Sequence, residues 1–358
     1  MSLISKGSIA TNLEIDCRIN GSAFPYVTSI SYTHLVNGVR RVLVEFSGHQ
    51  IIEATPIGAK VIIKLGRGDT SHNLDFEGFI FELNPKFNSG SFVAIDYIGR
   101  LARSEIVEYK EKDIIGKDLY YLAADAANYK DINTNQLTEG SGIIAESYME
   151  LSGLMTRKEF IDNCFEYMVD IVSDDYHSVP SAVTWRYAIR RNNVLDFYKE
   201  DINNTSIGYK IKVSEADSNL LGQGLTGTID NSKIVNSATF QSSLNPTLYA
   251  TVTDVDSVER NGIAGKLFQL RTNEYDKLEE LAYKTVLLNK EPTLIYQMKL
   301  ANAEHLTLGD YIQIKGPSLE EVILPVVDIR HIVSETIESY VTVGSTERTM
   351  KDLIKSIS

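Results

Sequence analysis

Two cysteines, Cys17 and Cys164, are all that the 358 residues carry. Two thiols cannot build a disulfide framework, and with no other cysteine near either one they do not read as zinc ligands. Basic residues are also in short supply: 35 Lys and Arg stand against 48 Asp and Glu, a formal net charge of −13. That balance argues against a protein that grips phosphates through clustered cations, and equally against a polybasic membrane-surface binder. The histidines, at 34, 49, 72, 177, 305 and 331, form no H-x-H or H-x-x-x-H pair. No G-x-S-x-G elbow or S-x-x-K box occurs, and neither cysteine sits in a nucleophile's context. Trp185 is the single tryptophan, which weakens any reading as a sugar-stacking groove despite 19 tyrosines. Long apolar runs are missing too. Val61–Ile63 and Val322–Val327 are strand-length, the second interrupted by Pro325, and a bilayer span needs about 20 residues. Residues 1–20 carry Glu14, Asp16 and Arg18 and no apolar stretch of signal-peptide length. The expectation is a soluble protein of two or three domains, made and assembled in a cytoplasm.

Strands fill the first hundred residues. Asn12–Ile19 alternates so that Leu13, Ile15, Cys17 and Ile19 share one face, which makes Cys17 a small core residue. Tyr26–Thr33, Arg41–Phe46, Lys60–Leu65, Phe76–Leu83 and Phe92–Tyr97 continue the pattern, punctuated by turns such as Val36-Asn37-Gly38 and Asn88-Ser89-Gly90. Short strands at this spacing predict a small antiparallel barrel or sandwich. The period then changes. Leu119, Leu122, Ala123 and Ala126 mark one helical face, and Thr156 with Glu159 forms a capping box. That box opens a predicted helix over 157–172, with Phe160, Ile161, Cys164, Phe165 and Met168 inward. Strands are expected at Ala182–Arg190 and Val194–Tyr198, around a turn at 191–193. The last third returns to strands (Ile234–Phe240, Leu248–Val255, Tyr311–Lys315, Leu324–Val327, Ser339–Val343) with a helix at Glu274–Asn289. The predicted fold class is therefore α+β and mainly β. The predicted boundaries are 1–105, a first β-rich domain; 106–215, an inserted α/β domain; and 216–358, a second β-rich domain carrying the 274–289 helix.

The two β-rich ends resemble each other. T-P-I-G-A-K-V-I-I-K runs from Thr55 to Lys64 and L-T-L-G-D-Y-I-Q-I-K from Leu306 to Lys315, with the same six-residue interval from Gly58 to Lys64 and from Gly309 to Lys315. Two further strands follow in each. Either one barrel is duplicated, or two ordinary meanders look alike.

Several motifs invite chemistry and fail on context. Gly222-Gln-Gly224-Leu-Thr-Gly227 matches a dinucleotide fingerprint, but no helix follows to face a pyrophosphate, so it is expected to be a flexible loop. Arg67-Gly68-Asp69 reads as a turn. Asp254-Val-Asp256-Ser-Val-Glu259 lacks the oxygen and glycine of a calcium loop and is expected to be a turn as well. Asp170, Asp174, Asp175 and His177 could be drawn as an acid/base or metal set, and read instead as a solvated loop.

Taken together, the chain resembles the hub proteins of contractile phage tail baseplates and related injection machines. The resemblance is carried by a spread of strands and glycines: I-G-A-K-V-I-I-K, then L-D-F-E-G-F-I-F-E-L with Gly58 and Gly78, then S-F-V-A-I-D-Y-I-G-R-L with Asp96. The helix Asp118–Ala127, Phe160–Tyr167, Val194–Tyr198 and Lys233-Ile234-Val235-Asn236 continue it. L-G-D-Y-I-Q-I-K, V-V-D-I-R-H-I-V and S-Y-V-T-V, with Gly309, Asp310 and His331, are its strongest part. The resemblance implies a homotrimer in which each subunit carries two barrels like the tail-tube subunit. Three chains would present six barrels and join a sixfold tube to a threefold spike. Implied partners are the tube or a tube-initiator protein above, a separate spike protein below, and baseplate wedge proteins around. DNA would pass through the lumen without sequence-specific binding, and the chain would bind no membrane. Implied too are a place in the virion tail, assembly in the host bacterial cytoplasm, no catalytic residue and no cofactor or metal. The competing readings are a β-rich host-surface or carbohydrate-binding module and, behind it, a wall hydrolase using two carboxylates.

Overall fold

Alternating β-branched and aromatic residues drive most of this chain into ladders. The computed structural model describes residues 13–48, 56–67, 74–128, 140–172, 181–189, 194–200, 207–212, 220–300, 303, 306–316, 319–334 and 337–344. The N-terminal part comprises β1 (Leu13–Ile19), β2 (Ser22–Ala23), β3 (Val27–Leu35), β4 (Arg41–Ser47), β5 (Lys60–Arg67), β6 (Leu74–Lys86) and β7 (Ser89–Ile95). The middle comprises α1 (Tyr97–Ala102), β8 (Val107–Tyr109), α2 (Glu111–Ile114), α3 (Leu119–Ala127), β9 (Gly153–Met155), α4 (Arg157–Tyr167), β10 (Val169–Val172), β11 (Ser181–Ile189) and β12 (Leu195–Glu200). Then follow β13 (Ile207–Lys212), β14 (Leu220–Asp230), β15 (Ser237–Ser242), β16 (Tyr249–Thr253), α5 (Val255–Asn261), β17 (Gly265–Leu270) and α6 (Tyr275–Asn289). The chain closes with β18 (Thr293–Leu300), β19 (Tyr311–Gly316), β20 (Leu319–Val333) and β21 (Ile337–Gly344).

The strand order decides the question of the repeat. One sheet runs β3-β4-β7-β6-β5-β1 at the N-terminal end and β14-β18-β21-β20-β19-β13 at the C-terminal end. Taken in chain order, both halves arrange their six strands identically. The detail repeats as well. Gly58 N–H donates to Ile80 O (2.8 Å) and Gly309 N–H to Val326 O (2.9 Å), while Ile80 and Val326 N–H return to Ala59 O (2.9 Å) and Asp310 O (2.8 Å). Each long strand then bulges one residue later, between Ile80 and Glu82 and between Val326 and Asp328. Unrelated meanders would not share a turn, a bulge and their spacing, so the chain contains two copies of one six-stranded unit. The copies differ in the first strand, antiparallel for β1 on β5 and parallel for β13 on β19. They are joined by β3 and β20, which pair antiparallel from Leu35↔Asp328 to Ile30↔Val333.

Three hydrophobic cores result. One lies in the first repeat and takes in Val333 and Ile337 from the second; another lies in the second repeat around Met298, Ile312, Val326 and Val341. The largest gathers α1, α3 and α4 with β11 and β12, and also β15, β16, β17 and α6. The segment between β14 and β18 thus leaves the second repeat and packs with the helical middle. In the first repeat the same link is the short turn between β3 and β4.

Two expectations need correcting, and one needs trimming. The G-x-G-x-x-G stretch is not a loop but the inside of β14, paired to β18 from Leu225↔Met298 to Asp230↔Thr293, because its glycines cost less than the ladder returns. The Asp254 segment is not a turn but the start of α5, with the Asp254 carboxylate accepting from Ser257 N (2.8 Å) as N-cap. The helix predicted over 157–172 ends at Tyr167, because Val169–Val172 finds a ladder on β11. Its capping box is present as read: Thr156 Oγ1 accepts from Glu159 N, and Glu159 accepts from Thr156 N. Gly68 and Asp69, Asp174, Asp175, His177 and the 191–193 turn lie outside the described residues.

Candidate functional site

Six of the seven positions singled out in the sequence fall into three places, and Gly78 stands apart within β6. Gly58, Gly309 and Asp310 build the duplicated turn. Both glycines have left-handed backbones (φ 87° and 79°) at the third position of a four-residue turn, closed by Ala59 N to Pro56 O and Asp310 N to Thr307 O. Asp310 adds a carboxylate that accepts from Thr307 N at 2.9 Å. A Cβ on Gly309 would lie 2.6 Å from the Tyr198 ring, whereas one on Gly58 would meet nothing. Gly78 is excluded from a side chain by proximity: its Cβ would stand 2.3 Å from Ile95 O.

Asp96 and His331 sit near the junction of the repeats, in a line of buried polar groups. Asp96 is fully buried and N-caps α1, accepting from Gly99 N (3.1 Å) and Arg40 N (3.0 Å), with the Arg40 guanidinium 3.5 Å away. Burial pushes its carboxyl up to about 6 against the pull of Arg40. Arg40, 2% exposed, also donates to Tyr32 Oη and Asp75 O and lies over the Phe76 ring. Tyr32 packs on His331, ring centroids 5.8 Å apart, and His331 Nδ1 shares a 2.9 Å hydrogen bond with Ser339 Oγ. His331 has no solvent exposure, and burial alone pushes its imidazole down to about 4, so the ring is neutral. These groups hold β3, β20 and β7 together; buried among ladders, they offer a substrate no access.

Asn236 is the third place. Its side chain donates to Gly262 O (2.7 Å) and Ser257 Oγ (3.4 Å) and accepts from Ala264 N (2.7 Å). Its carbonyl accepts from Asp254 N. One asparagine therefore ties the entry of β15 to both ends of α5 and the start of β17.

Other candidate chemistry is neutralised by pairing or burial. A cavity of about 310 Å³ beside α6 is lined by Glu146, Tyr148, Glu166, Lys277 and Glu280. Both of its lysines are engaged, Lys277 with Glu146 and Glu280, and Lys284 with Glu280 at 2.7 Å. Burial pushes the Cys17 thiol up to about 12, far from a reactive thiolate, and Cys164 is raised in the same way. Among the described residues no three His, Cys, Asp or Glu side chains come together as a metal would need, and no helix is long and apolar enough to cross a membrane.

Sequence reasoning did not find Arg40, Tyr32, Ser339 or Ser257. Arg40 follows the Asn37-Gly38 turn as any surface arginine would, and its burial depends on strands far away in sequence. Ser339 carried a readable signal: with Val341 and Val343 it alternates onto the inner face of β21.

No family model matches the chain, and no curated protein matches it either. Solved structures do. A tail protein from Neisseria meningitidis MC58 matches over 95% of this chain and 98% of its own, with a TM-score of 0.67 and 10% identity. The 43 kDa tail protein of prophage MuSo2 from Shewanella oneidensis matches over 92% and 96%, with 0.59 and 12%. A prophage tail protein from Listeria monocytogenes EGD-e matches over 96% and 98%, with 0.55 and 12%. At such identities the likeness is one of fold, and it runs nearly end to end. With its large antiparallel sheet and mainly β make-up, the chain has the fold of phage tail proteins.

Proposed function

We propose that the chain is the hub of a contractile phage tail baseplate, a homotrimer that joins the sixfold tail tube to the threefold central spike. The observation that carries this reading is the duplication: one chain contains two six-stranded units with the same strand order, turn and bulge. Three such chains present six equivalent units, which is what a threefold object needs to meet a sixfold one. In this reading the 1–105 and 216–358 segments carry the tube-like units, the second also taking β13 from the end of 106–215, and the rest of 106–215 is the inserted domain. The tube or its initiator lies above, a separate spike protein below, and wedge proteins around. The net charge of −13 suits a lumen through which DNA slides without sticking. The role is structural, in the virion tail, and requires no catalytic residue.

Light scattering on the purified chain, followed by negative-stain imaging, tests it. One chain is 40.0 kDa, so the hub predicts a ring of about three times that mass with a central hole. A 40 kDa particle that stays monomeric at about 100 µM, alone and with its neighbouring tail proteins, would sink the proposal.

A further inference from the structure

The two repeats share a turn but differ in what covers it. In the second repeat β12 lies over the turn: the Tyr198 ring sits on Gly309, and Leu308 has no solvent exposure. In the first, Ile57 holds the position of Leu308 and is 70% exposed, and a Cβ on Gly58 would meet nothing. Gly58 N–H donates to Ile80 O, so Phe81, 36% exposed, follows directly on the strand beside this turn. One copy of the turn is covered within the chain, and the other, among the described residues, is bare.

The bare copy also carries positive charge. Arg100, in the last turn of α1, lies over the Phe79 ring, 3.2 Å from its centroid, and Arg103 lies over the Phe81 ring at 4.3 Å. Among the described residues neither arginine has a carboxylate partner, in a chain whose formal charge is −13. A guanidinium stacked on a ring has its plane fixed and its N–H edge open to a planar acceptor such as a carboxylate. The fold does not require these stacks. Phe79 and Phe81 correspond to Pro325 and Val327, and the second repeat builds the same turn and bulge without either ring.

We propose that Ile57, Phe81, Arg100 and Arg103 form a docking patch for an acidic segment of a different protein. That segment lays an aromatic or leucine side chain on Ile57 and Phe81, as Tyr198 does on the second turn, and sets carboxylates against the two guanidiniums. Arginine beside exposed aromatic and aliphatic side chains is the composition that anchors protein interfaces. A second copy of this chain cannot supply the cover by the same route, because its Tyr198 already lies on its own Gly309. Two cations on an acidic chain are too few to hold a phosphate backbone, and the apolar pair beside them suits a protein partner instead. The turn occurs twice per chain but the patch once, so in the hub reading it would receive three partners rather than six.

Fluorescence anisotropy on the full chain tests the patch. The probe is a labelled peptide of about twelve residues, with a central Tyr-Leu pair flanked by aspartates. The same peptide with lysine for aspartate, and an oligothymidylate, are the comparisons. The aspartate peptide should bind with a Kd below about 1 mM and lose affinity between about 50 and 500 mM salt. Arg103→Gln and Ile57→Asp, both at exposed positions, should each weaken it about tenfold with an unchanged circular dichroism spectrum. No binding at about 1 mM, equal binding of the lysine peptide, or binding that survives both substitutions overturns the proposal. So does preference for the oligothymidylate, which marks a nucleic-acid site, or self-association that Ile57→Asp abolishes, which marks a second copy. A trimeric ring that ignores the peptide leaves the hub and removes the patch, whereas a monomer that binds it does the reverse.

Discussion

Removing the guanidinium of Arg40 should cost far more than its distance from any surface suggests. Arg40 and Asp96 are 2% and 0% exposed, and their side chains stand 3.5 Å apart. In Arg40→Met the chain over Phe76 keeps its apolar stem, but the Asp96 carboxylate retains backbone N–H groups, those of residues 40, 98 and 99, and no cation. Breaking one side of a buried pair costs about 3–5 kcal/mol, a large share of the 5–15 kcal/mol that a typical domain has. The escape is protonation. Burial already pushes Asp96 up to about 6 with Arg40 present, and removing the cation raises it further. The folded variant then binds a proton that the unfolded chain does not, and it regains stability as pH falls. Urea unfolding followed by circular dichroism should show the larger loss at pH 8 and a smaller one at pH 5. Adding Asp96→Asn, which keeps an acceptor for Gly99 N, should restore about 1.5 kcal/mol or more at pH 8. If the two losses simply add, or Arg40→Met stays within about 1 kcal/mol of the parent at both pH values, the pair does not hold the junction.

The same junction gives His331 an opposite dependence. Its imidazole titrates near 4 when folded against about 6.5 unfolded, so stability is lost as pH falls from 6.5 towards 4, by roughly 3 kcal/mol for this group. His331→Gln should therefore gain on the parent across that interval in urea midpoints, and parallel pH profiles would count against the assignment. The duplicated turns should respond unequally to alanine. Gly58→Ala meets only the left-handed backbone and should cost about 1 kcal/mol, while Gly309→Ala also meets the Tyr198 ring and should cost about 2 kcal/mol or more. Equal thermal shifts for the two would show that Tyr198 yields.

Period-two alternation made β1, β3, β4 and β5 readable, and Asn37 and Asn88 announced their turns through the left-handed backbones they adopt. The capping box at Thr156 and the stripe of α6 were equally local. What local signals could not carry was partnership. Alternation fails at β17, whose Gly265–Leu270 exposes Lys266 and Leu267 together and becomes a strand through β15. β14 is glycine-rich by composition and a strand through β18 and its place in the repeat. The glycine turns at 58 and 309 were legible because a positive φ selects glycine directly. Arg40 and Ser257 were not, because a buried polar residue is defined by acceptors that arrive from elsewhere in the chain.

The joint between β3 and β20 also sets a clock. All ladders of the first repeat close within residues 13–95, so that unit can fold as soon as it leaves the ribosome. Its β3 edge must then wait for Asp328, about two-thirds of the chain later, and at about 5–20 residues per second that interval is roughly 12–47 s. Throughout it, one folded unit displays an open second strand and an open fifth strand, the two halves of the contact that joins the repeats. Neighbouring nascent chains on one messenger therefore present each other with matching edges, and misassembly during synthesis should rise with ribosome density rather than with the concentration of finished protein.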